Sequence, residues 1–288
     1  MTSAGVSAIE APSGKDAGYE NFPVGSWLLP AALRPHVAVF YAYARAIDDI
    51  ADSPALTPDD KIARLDGFAR AIRGEDTSTP ELAKAHAMRR VLAATGISTR
   101  HCLDLIAAFK QDASKRRYAD WGELIDYCFK SAAPVGRFLL DLHGGCRFGY
   151  APADALCNGL QVINHLQDCQ DDYRTLDRVY LPMDWLAAEG AAVEDLDRNE
   201  TTPGLRRVLD RALVGVRELL REAAPLPRGL ASRRLAMESA AILEIARKLT
   251  ERLQRRDPLR SRVVLGRFEY AQCCGLGVVR TLSQGAGR

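Results

Sequence analysis

The sequence predicts an all-α fold, a bundle of helices around a central ligand cavity. Apolar residues recur every three to four positions through most of the chain, and the strict alternation typical of β-strands is nearly absent. The helical patterns run for roughly 12 to 25 residues and are separated by short segments rich in Gly, Pro, Asp and Asn. Such a succession of helices favours a bundle whose ligand sites form from side chains on facing helices.

The individual helices follow from this spacing. The first is predicted over residues 34–51, because apolar residues recur at helical spacing from Val37 to Ile47 and Ser53-Pro54 ends the pattern. Further helices are predicted over residues 58–73, 80–94, 99–113, 121–146, 152–173, 203–222 and 229–255. Residues 1–18 are small and polar and are predicted to form a disordered arm. Residues 19–288 are interpreted as one domain, since no Pro/Gly/Ser-rich linker divides them.

Composition narrows the classes of partner. Thirty-nine Lys+Arg against 37 Asp+Glu give a net charge of +2, which lacks the basic excess of a nucleic-acid-binding protein. No uncharged apolar stretch of about 20 residues exists, so we expect no membrane span. The apolar run at residues 275–279 leaves peripheral membrane contact open. An odd count of seven cysteines without metal spacing, and no signal sequence, favour reduced thiols in the cytoplasm.

Two clusters of aspartates carry the main functional signal. Asp48, Asp49 and Asp52 lie in the first predicted helix, where residues three and four apart share a face. Residues 168–172 repeat this spacing about 120 positions later. A solvated acidic helix face would be the simpler explanation of one cluster, whereas the repetition favours a shared binding site.

The surroundings of these aspartates predict a metal-bound diphosphate. Both clusters border apolar residues, where uncompensated carboxylates would repel one another. Mg²⁺ resolves such repulsion, because it binds carboxylate oxygens together with water and substrate phosphate oxygens. Arg45 precedes the first cluster by about one turn, and amides at Gln161, Asn164 and Gln167 precede the second. The predicted metal ligands are Asp48, Asp49, Asp52, Asp168, Asp171 and Asp172.

Three segments resemble the squalene/phytoene synthase family. Residues 40–52, with the sequence FYAYARAIDDIAD, are similar to its first aspartate-rich signature. Residues 164–172, followed by residues 178–182, are similar to its second signature. Residues 118–128 resemble the family's run into its central helix, and the whole resemblance covers about residues 20 to 265.

The resemblance implies an isoprenoid-synthase fold in which Mg²⁺, for which Mn²⁺ could substitute, bridges both aspartate motifs to a prenyl diphosphate. Asp48, Asp52, Asp168 and Asp172 are the strongest ligand candidates, and Asp49 and Asp171 would ligate or support them. Arg45, Gln161, Asn164 and Arg256 would assist the diphosphate, since guanidinium groups bind phosphate oxygens in a bidentate manner. Tyr41 and Tyr127 would contact phosphate or the developing cation.

Departures from the common family pattern indicate a branch. Residues 129–137 replace a Val-Ala-Gly element, residues 20–26 replace a His/Ser-rich element, and Gln167 replaces the usual Arg. The chain thereby resembles the bacterial hydroxysqualene synthases of hopanoid pathways. That resemblance implies ionisation of presqualene diphosphate, supplied by a separate pathway enzyme, then rearrangement and capture by water. No NADPH is expected, since no Gly-rich dinucleotide fingerprint is found, although this family binds NADPH without one.

The branch adds candidate residues and leaves alternatives open. The added substrate contacts are Asn21, Phe22, Val135, Gly136, His165 and Gln167; Tyr127, Asn164 and Lys130 are the catalytic candidates, and Lys130, Ser131, Asn164 or His165 would position water. A head-to-head prenyl synthase making presqualene diphosphate, squalene or phytoene is the alternative enzyme. A catalytically silent helical assembly factor is the alternative outside enzymes.

Overall fold

The computed structural model of the chain describes residues 29–285 and confirms the predicted all-α class. The helices are α1 (Arg34–Asp52), α2 (Pro58–Arg73), α3 (Ala83–Thr95), α4 (Arg100–Asp112), α5 (Trp121–Ser131), α6 (Ala133–Leu142), α7 (Ala151–Gln167), α8 (Cys169–Leu176), α9 (Met183–Ala188), α10 (Pro203–Ala223), α11 (Leu226–Gly229), α12 (Arg233–Arg255) and α13 (Arg267–Gly285). Short 3-10 helices span Pro80–Leu82 and Val193–Asp197. The predicted arm at residues 1–18 lies outside the described residues, and the single-domain interpretation stays a prediction.

The predicted helix ends agree best with the structure where capping residues are present. Helices α1, α2, α4 and α10 begin and end within one residue of their predicted bounds. Thr57 and Thr202 cap α2 and α10, each accepting a hydrogen bond from a backbone N–H of the first turn at 3.2 Å. In both helices a proline follows the cap, where its missing N–H costs nothing. Gly74 ends α2 with a φ of 84°, a left-handed conformation that glycine adopts readily.

Two helices predicted as continuous are each divided in the structure. The helix expected over residues 121–146 breaks at Ala132, because Pro134 has no N–H to donate and its ring crowds the preceding turn. The helix expected over residues 152–173 is interrupted at Asp168, whose backbone N–H still donates to the Asn164 carbonyl at 2.9 Å. Both interruptions lie beside the cavities described below.

Some elements carried no recognisable sequence pattern. Strands β1 (Arg117–Tyr118) and β2 (Val179–Pro182) form a two-stranded parallel sheet too short to show alternation. Helix α13 includes the apolar run at residues 275–279 and packs along α12. Gly277 permits this close approach, because a Cβ there would lie 2.3 Å from the Ala241 nitrogen.

The helices bury two apolar groups of side chains that meet across the molecule. One group surrounds α7 and includes residues of α5, α10 and α12, and the other lies among α1, α2, α3 and α4. Phe138 of α6 belongs to the second group and stacks on Phe40, with ring centroids 4.1 Å apart. The functional cavities lie where the two groups meet, between α1 and α7.

The expectations about membrane spans and cysteines drawn from the composition agree with the described residues. Within residues 29–285, none of the helices combines the length and apolar character needed to cross a bilayer. All seven cysteines fall in this range and each is a free thiol.

Candidate active site

A polar cavity of about 160 Å³ lies between the second half of α1 and the joint of α7 with α8. The helical spacing explains the convergence, because Arg45, Asp48 and Asp52 follow one face of α1. The residues predicted from sequence that line this cavity are Arg45, Asp48, Asp52, Tyr127, Gln161, Asn164, His165, Asp168 and Asp172. The structure therefore brings both aspartate motifs to one site.

Arginines neutralise the aspartates on the α1 side. Arg45 lies 3.0 Å from Asp48 and 2.9 Å from Asp49, so one guanidinium serves two carboxylates of its own helix. Arg178, which precedes β2, donates to an Asp52 oxygen at 2.6 Å and to the Ala51 carbonyl at 2.8 Å. Arg178 is only 3% exposed, so its charge is held inside the protein by these partners.

The second motif has an arginine of its own. Arg262, in the segment between α12 and α13, donates through two nitrogens to the two oxygens of Asp168, at 2.5 and 3.0 Å. This fork geometry is the one that guanidinium groups form with carboxylates and with phosphates. Arg262 therefore closes the cavity on the side away from α1 with a group suited to either partner.

The oxygen donors around the cavity suit magnesium bound together with substrate. Across residues 29–285, no three His, Cys, Asp or Glu side chains converge closely enough to hold a metal ion by themselves. Mg²⁺ is usually held by one or two carboxylates together with waters and substrate phosphate oxygens. Asp48 and Asp52 on one wall and Asp168 and Asp172 on the other match this requirement, because they line the same cavity without forming a closed site.

Asp112 forms the buried floor of the polar cavity. It is 2% exposed and accepts hydrogen bonds from the Tyr127 hydroxyl at 2.6 Å and the Tyr180 hydroxyl at 3.1 Å. Burial raises the pKa of Asp112 to about 6, against the opposing charge of Arg178. Burial also raises the pKa of Tyr127 well above its ordinary value, so this phenol stays protonated and donates to Asp112.

His165 is a neutral part of the aromatic wall. Its ring stacks on Tyr180 with centroids 3.7 Å apart, and its Nε2 lies 3.3 Å from the Gln161 amide nitrogen. Burial, and secondarily the charge of Arg178, lower the pKa of His165 to about 3. His165 therefore contributes a polar but uncharged ring near neutral pH.

An apolar cavity of about 270 Å³ continues from the polar one. The two share part of their lining, namely Arg45, Asp48, Phe109, Gln161 and Asn164. Along α7 the lining changes from the polar Asn164 to apolar Leu160, Leu156 and Ala153, a length of about 16 Å at the helical rise per residue. The combined space has a charged end and a long apolar portion, which we call the apolar body.

Predicted substrate contacts lie in the apolar cavity as well. Tyr41 of α1 and Val135 and Gly136 of α6 line it. At Gly136 a Cβ would lie 2.7 Å from the Cys157 sulfur, so glycine lets α6 approach α7 closely at this point.

Three predicted residues have side chains that point into solvent rather than into either cavity. Lys130 is exposed on α5, because Tyr127 and Ser131, one turn apart, form the buried face of that helix. Asp171 is exposed on α8, beyond the interruption at Asp168. Arg256 is exposed at the end of α12, and Arg262 six residues later reaches the cavity instead. We therefore omit these three from the site.

Two other predicted residues are buried outside the lining. Asp49 is held by Arg45, and the Gln167 amide donates to the Val263 carbonyl, so both support neighbouring segments. Asn21 and Phe22 lie outside the described residues, and their substrate contacts stay predictions.

The sequence interpretation missed four charged residues of the cavities. Arg178 opens the segment that follows the second motif, and this position beside an aspartate cluster was a usable signal. Glu238 interrupts an apolar stripe of α12, which was a second signal. Asp112 and Arg262 gave none, because their places depend on how α4 and the segment after α12 pack.

Comparison with known proteins identifies the family of the chain. The sequence pattern of the squalene/phytoene synthase family matches residues 16–269. A hydroxysqualene synthase of Rhodopseudomonas palustris is 45% identical over 264 residues, which is 92% of this chain and 89% of that protein. A hydroxysqualene synthase of Zymomonas mobilis is 40% identical over 276 residues, covering 95% and 91% of the two chains.

Solved structures show the same fold. A squalene synthase from Alicyclobacillus acidocaldarius superposes with a TM-score of 0.70 at 32% identity, covering 81% of this chain and 87% of that one. A dehydrosqualene synthase in complex with ligand gives a TM-score of 0.75 over 91% and 92% of the chains, and at 19% identity it shows the fold alone. By sequence and by fold, this chain belongs to the squalene/phytoene synthase family.

Proposed function

We propose that this chain is a hydroxysqualene synthase, which converts presqualene diphosphate and water into hydroxysqualene and diphosphate. The observation that carries the proposal is the shared lining of the two cavities, in which a charged end opens into a long apolar body. Such a space matches a substrate with a diphosphate head and a branched hydrocarbon tail. The names of relatives 40 to 45% identical over nearly the whole chain support the same reaction.

The charged end would bind the diphosphate. Arg45 and Arg262 each hold an aspartate through geometry that phosphate oxygens can also accept, so they can turn to the substrate as it binds. Asp48, Asp52, Asp168 and Asp172 would hold Mg²⁺, or Mn²⁺ in its place, which stabilises the negative charge of the departing diphosphate. Arg178 keeps Asp52 oriented from its buried position.

The apolar body would hold the hydrocarbon and protect the cation. Tyr41 and Phe40 line it from α1, and aromatic faces stabilise nearby positive charge. Tyr127 and Tyr180 are fixed by their hydrogen bonds to Asp112, so their rings keep a constant orientation beside the reacting end. These walls limit water to positions where polar groups hold it.

The electron balance of the proposed reaction requires no reductant. Loss of diphosphate leaves a carbocation, and bond formation with a water oxygen followed by loss of one proton gives an alcohol at the same oxidation level. We therefore propose that NADPH is not consumed.

The direct test is a reaction with purified protein. Presqualene diphosphate with Mg²⁺ and without NADPH should yield hydroxysqualene and diphosphate, and EDTA should abolish the reaction. Gas chromatography with mass spectrometry identifies the alcohol, and labelled water should place its oxygen in the product.

Two other outcomes would overturn the proposal. Turnover of two molecules of farnesyl diphosphate to presqualene diphosphate, without reaction of presqualene diphosphate itself, would establish a head-to-head prenyl synthase. Absence of both reactions, together with no Mg²⁺-dependent binding of diphosphate in calorimetry, would favour a catalytically silent assembly factor.

We propose a cytoplasmic enzyme that touches the inner face of the cell membrane. Large apolar side chains exposed on α13, including Phe268 at 82% and Val279 at 62%, support such contact. Co-sedimentation with anionic lipid vesicles tests it, and a variant with Ser at both positions should remain in the supernatant. Contact with other enzymes of the pathway and the absence of nucleic-acid binding stay predictions.

A further inference from the structure

Two buried polar side chains, Glu238 and Ser131, line the apolar cavity. Glu238 lies on α12 between Leu235 and Ile242, on the face that lines the cavity, and is 5% exposed. Ser131 ends α5 and is 8% exposed. Among the described residues, neither the Ser131 hydroxyl nor the Glu238 Oε2 has a hydrogen-bond partner. Burial of such groups without partners costs stability, so the packing of the fold does not explain them.

A second glutamate on α12, Glu244, differs from Glu238 in that its carboxylate is paired with arginines. Glu244 lies six residues after Glu238 and accepts a hydrogen bond from Arg247 at 2.6 Å, and Arg280 contacts the same oxygen. Its charge is therefore compensated by arginines on α12 and α13. Glu238 is more deeply buried, at 5% exposure against 13% for the Glu244 side chain, and it faces the cavity instead.

The position of both groups relates them to the reacting end. The segments before α7 and α12 meet, because the Ala231 N–H donates to the Gly145 carbonyl at 3.2 Å. The segments after the two helices also meet, because Arg262 donates to Asp168. Helices α7 and α12 therefore run in the same direction. Glu238 therefore lies on the order of 10 Å along α7 from the diphosphate end. Ser131 follows Tyr127, which lines the polar cavity, by one turn of about 6 Å.

The cavity can hold water beside these groups. At about 270 Å³ it exceeds the volume that one water molecule needs, and a buried water requires polar partners such as a hydroxyl and a carboxyl group. The other polar side chains of this lining are Tyr41, Cys157 and Ser239, besides Arg45, Asp48, Gln161 and Asn164 at the end shared with the polar cavity. Of the two carboxyl groups in the lining, Glu238 is the one away from that shared end, so water retained beside it has a proton acceptor.

We propose that Ser131 and Glu238 position the water that captures the carbocation, an inference that rests on the proposed function. The water oxygen donates its electron pair to the cationic carbon and forms the new C–O bond. One of its protons then passes to the Glu238 carboxylate, directly or along the Ser131 hydroxyl and intervening water, and the other remains on the product hydroxyl. Glu238 returns its proton to solvent before the next turnover.

The test is the distribution of products from presqualene diphosphate. Glu238→Gln and Ser131→Ala should still consume the substrate within about threefold of the wild-type rate, because the groups that bind the diphosphate and help it leave are unchanged. The hydroxysqualene fraction should fall by at least about tenfold in Glu238→Gln, the scale of a lost proton acceptor, and hydrocarbons formed by proton loss should replace it. Glu238→Asp should restore part of the alcohol.

Glu244→Gln is the matched control, and its product distribution should equal that of the wild type. An unchanged hydroxysqualene fraction in Glu238→Gln would overturn the inference. Complete loss of substrate consumption in a folded Glu238→Gln protein would also overturn it, because the residue would then act before water capture. Failure of the proposed function is distinguishable, since the wild-type protein itself would then form no hydroxysqualene.

Product distribution should also depend on pH in the wild-type protein. Burial raises the pKa of Glu238 to about 7, so the proton-accepting carboxylate is lost as the pH falls through this value. Between pH 8 and pH 6 the carboxylate fraction, and with it the ratio of alcohol to hydrocarbon, should fall about tenfold. Glu238→Gln should show a flat ratio, and a pH-dependent ratio in that variant would assign the titration to another group.

Asp112 of the adjoining polar cavity, whose pKa burial raises to about 6, also titrates near this range, and the flat ratio expected of Glu238→Gln separates the two groups. The charged or titratable side chains that line the cavity with it or interact with it electrostatically are Tyr41, Arg45, Asp48, Cys157, Tyr270 and Cys274. Burial raises the pKa of Cys157 and that of Tyr270 to about 12, and it also raises the pKa of Cys274.

Discussion

The polar and apolar cavities share a wall but differ in whether their carboxyl groups are paired with arginines. In the polar cavity Asp52 and Asp168 are held by Arg178 and Arg262 at hydrogen-bonding distance. In the apolar cavity Glu238 is buried with its Oε2 atom unpaired among the described residues. Carboxylates of the polar cavity are therefore paired with arginines before substrate binds, whereas the Glu238 carboxyl group of the apolar cavity has no such arginine.

The difference indicates separate tasks. Arginine–carboxylate pairs keep a highly charged site folded before substrate arrives, and each arginine can exchange a carboxylate for a phosphate without being desolvated again. A carboxyl group without such a partner keeps its proton near neutral pH, as burial of Glu238 shows by raising its pKa to about 7. It is therefore suited to exchange a proton rather than to hold a metal ion.

The largest expected effect comes from removing a charge of the polar end. Asp168→Asn keeps the shape of the side chain but leaves Arg262 without its carboxylate and weakens the proposed metal site. We expect turnover of presqualene diphosphate to fall by at least about 10³-fold, as for other groups that stabilise a charged transition state. Steady-state kinetics measures the loss, and circular dichroism should show unchanged helix content.

Asp171→Asn is the matched control in the same motif. Because Asp171 is exposed and lines neither cavity, its turnover should stay within about threefold of the wild type. A large loss in Asp171→Asn, or none in Asp168→Asn, would contradict the assignment of the polar cavity as the metal and diphosphate site.

The next effect concerns stability. Arg178→Met removes the buried guanidinium that holds Asp52 and lies near Asp112. We expect a loss of about 3–5 kcal/mol in the free energy of unfolding, because the buried Asp112 and the partly buried Asp52 are left uncompensated. Urea denaturation at pH 7 measures it. Because Arg178 lowers the pKa of Asp112, its removal should raise that pKa further, so protonation of Asp112 should partly restore stability as the pH falls towards 6.

Arg174→Met provides the comparison on the neighbouring helix. Arg174 is exposed and pairs with Asp197 across 3.7 Å in solvent, so its loss should cost less than about 1 kcal/mol. Equal losses in the two variants would mean that burial of the arginine does not decide its contribution.

The same contrast explains what could be predicted from the sequence. The aspartate spacing within α1 is local, and a helix with 3.6 residues per turn places Asp48 and Asp52 on one face whatever surrounds it. The helix bounds at Thr57 and Thr202 depend on capping contacts within one turn. These local features were predicted correctly, whereas the equally local break at Ala132 beside Pro134 was missed.

Features decided across the fold were not. Arg262 reaches Asp168 from 94 positions away, and no pattern near either residue indicates the contact. Lys130 was expected near the substrate because it lies in the branch-specific segment 129–137, but its side chain lies on the exposed face of α5. Arg256 was assigned by its place along the chain, although the loop after α12 brings a different arginine to the cavity.

Removal of the Glu238 carboxyl group should stabilise the protein at high pH, in contrast to removal of the Arg178 guanidinium. Glu238→Gln removes a buried carboxyl group whose pKa is raised from 4.5 to about 7, so the native protein holds this proton more tightly than the unfolded chain does. The wild type therefore loses stability as the pH rises from about 4.5 to 7, and the variant lacks this loss. The stability difference between variant and wild type should rise by about 1–3 kcal/mol from pH 5 to pH 8.

Guanidinium chloride titrations of both proteins at pH 5 and pH 8 measure this change. Glu244→Gln should give no such gain, because Arg247 and Arg280 compensate Glu244 in the folded protein. A difference for Glu238→Gln that is independent of pH would show that its side chain is charged in neither state or solvated in both.

The smallest effect is expected at the serine of the apolar cavity. Ser131→Ala removes a buried hydroxyl that has no partner among the described residues, so the variant should remain within about 0.5 kcal/mol of the wild type in thermal or chemical unfolding. Ser232→Ala is the control, because Ser232 caps α12 by accepting the Leu235 N–H at 3.3 Å, and its loss should cost about 1 kcal/mol.

If Ser131→Ala costs as much as Ser232→Ala, the Ser131 hydroxyl contributes to folding, and its place in the cavity then has a structural cause. A negligible cost combined with an altered product distribution would separate the two roles, since a group that does not stabilise the fold but changes the product acts on the reaction.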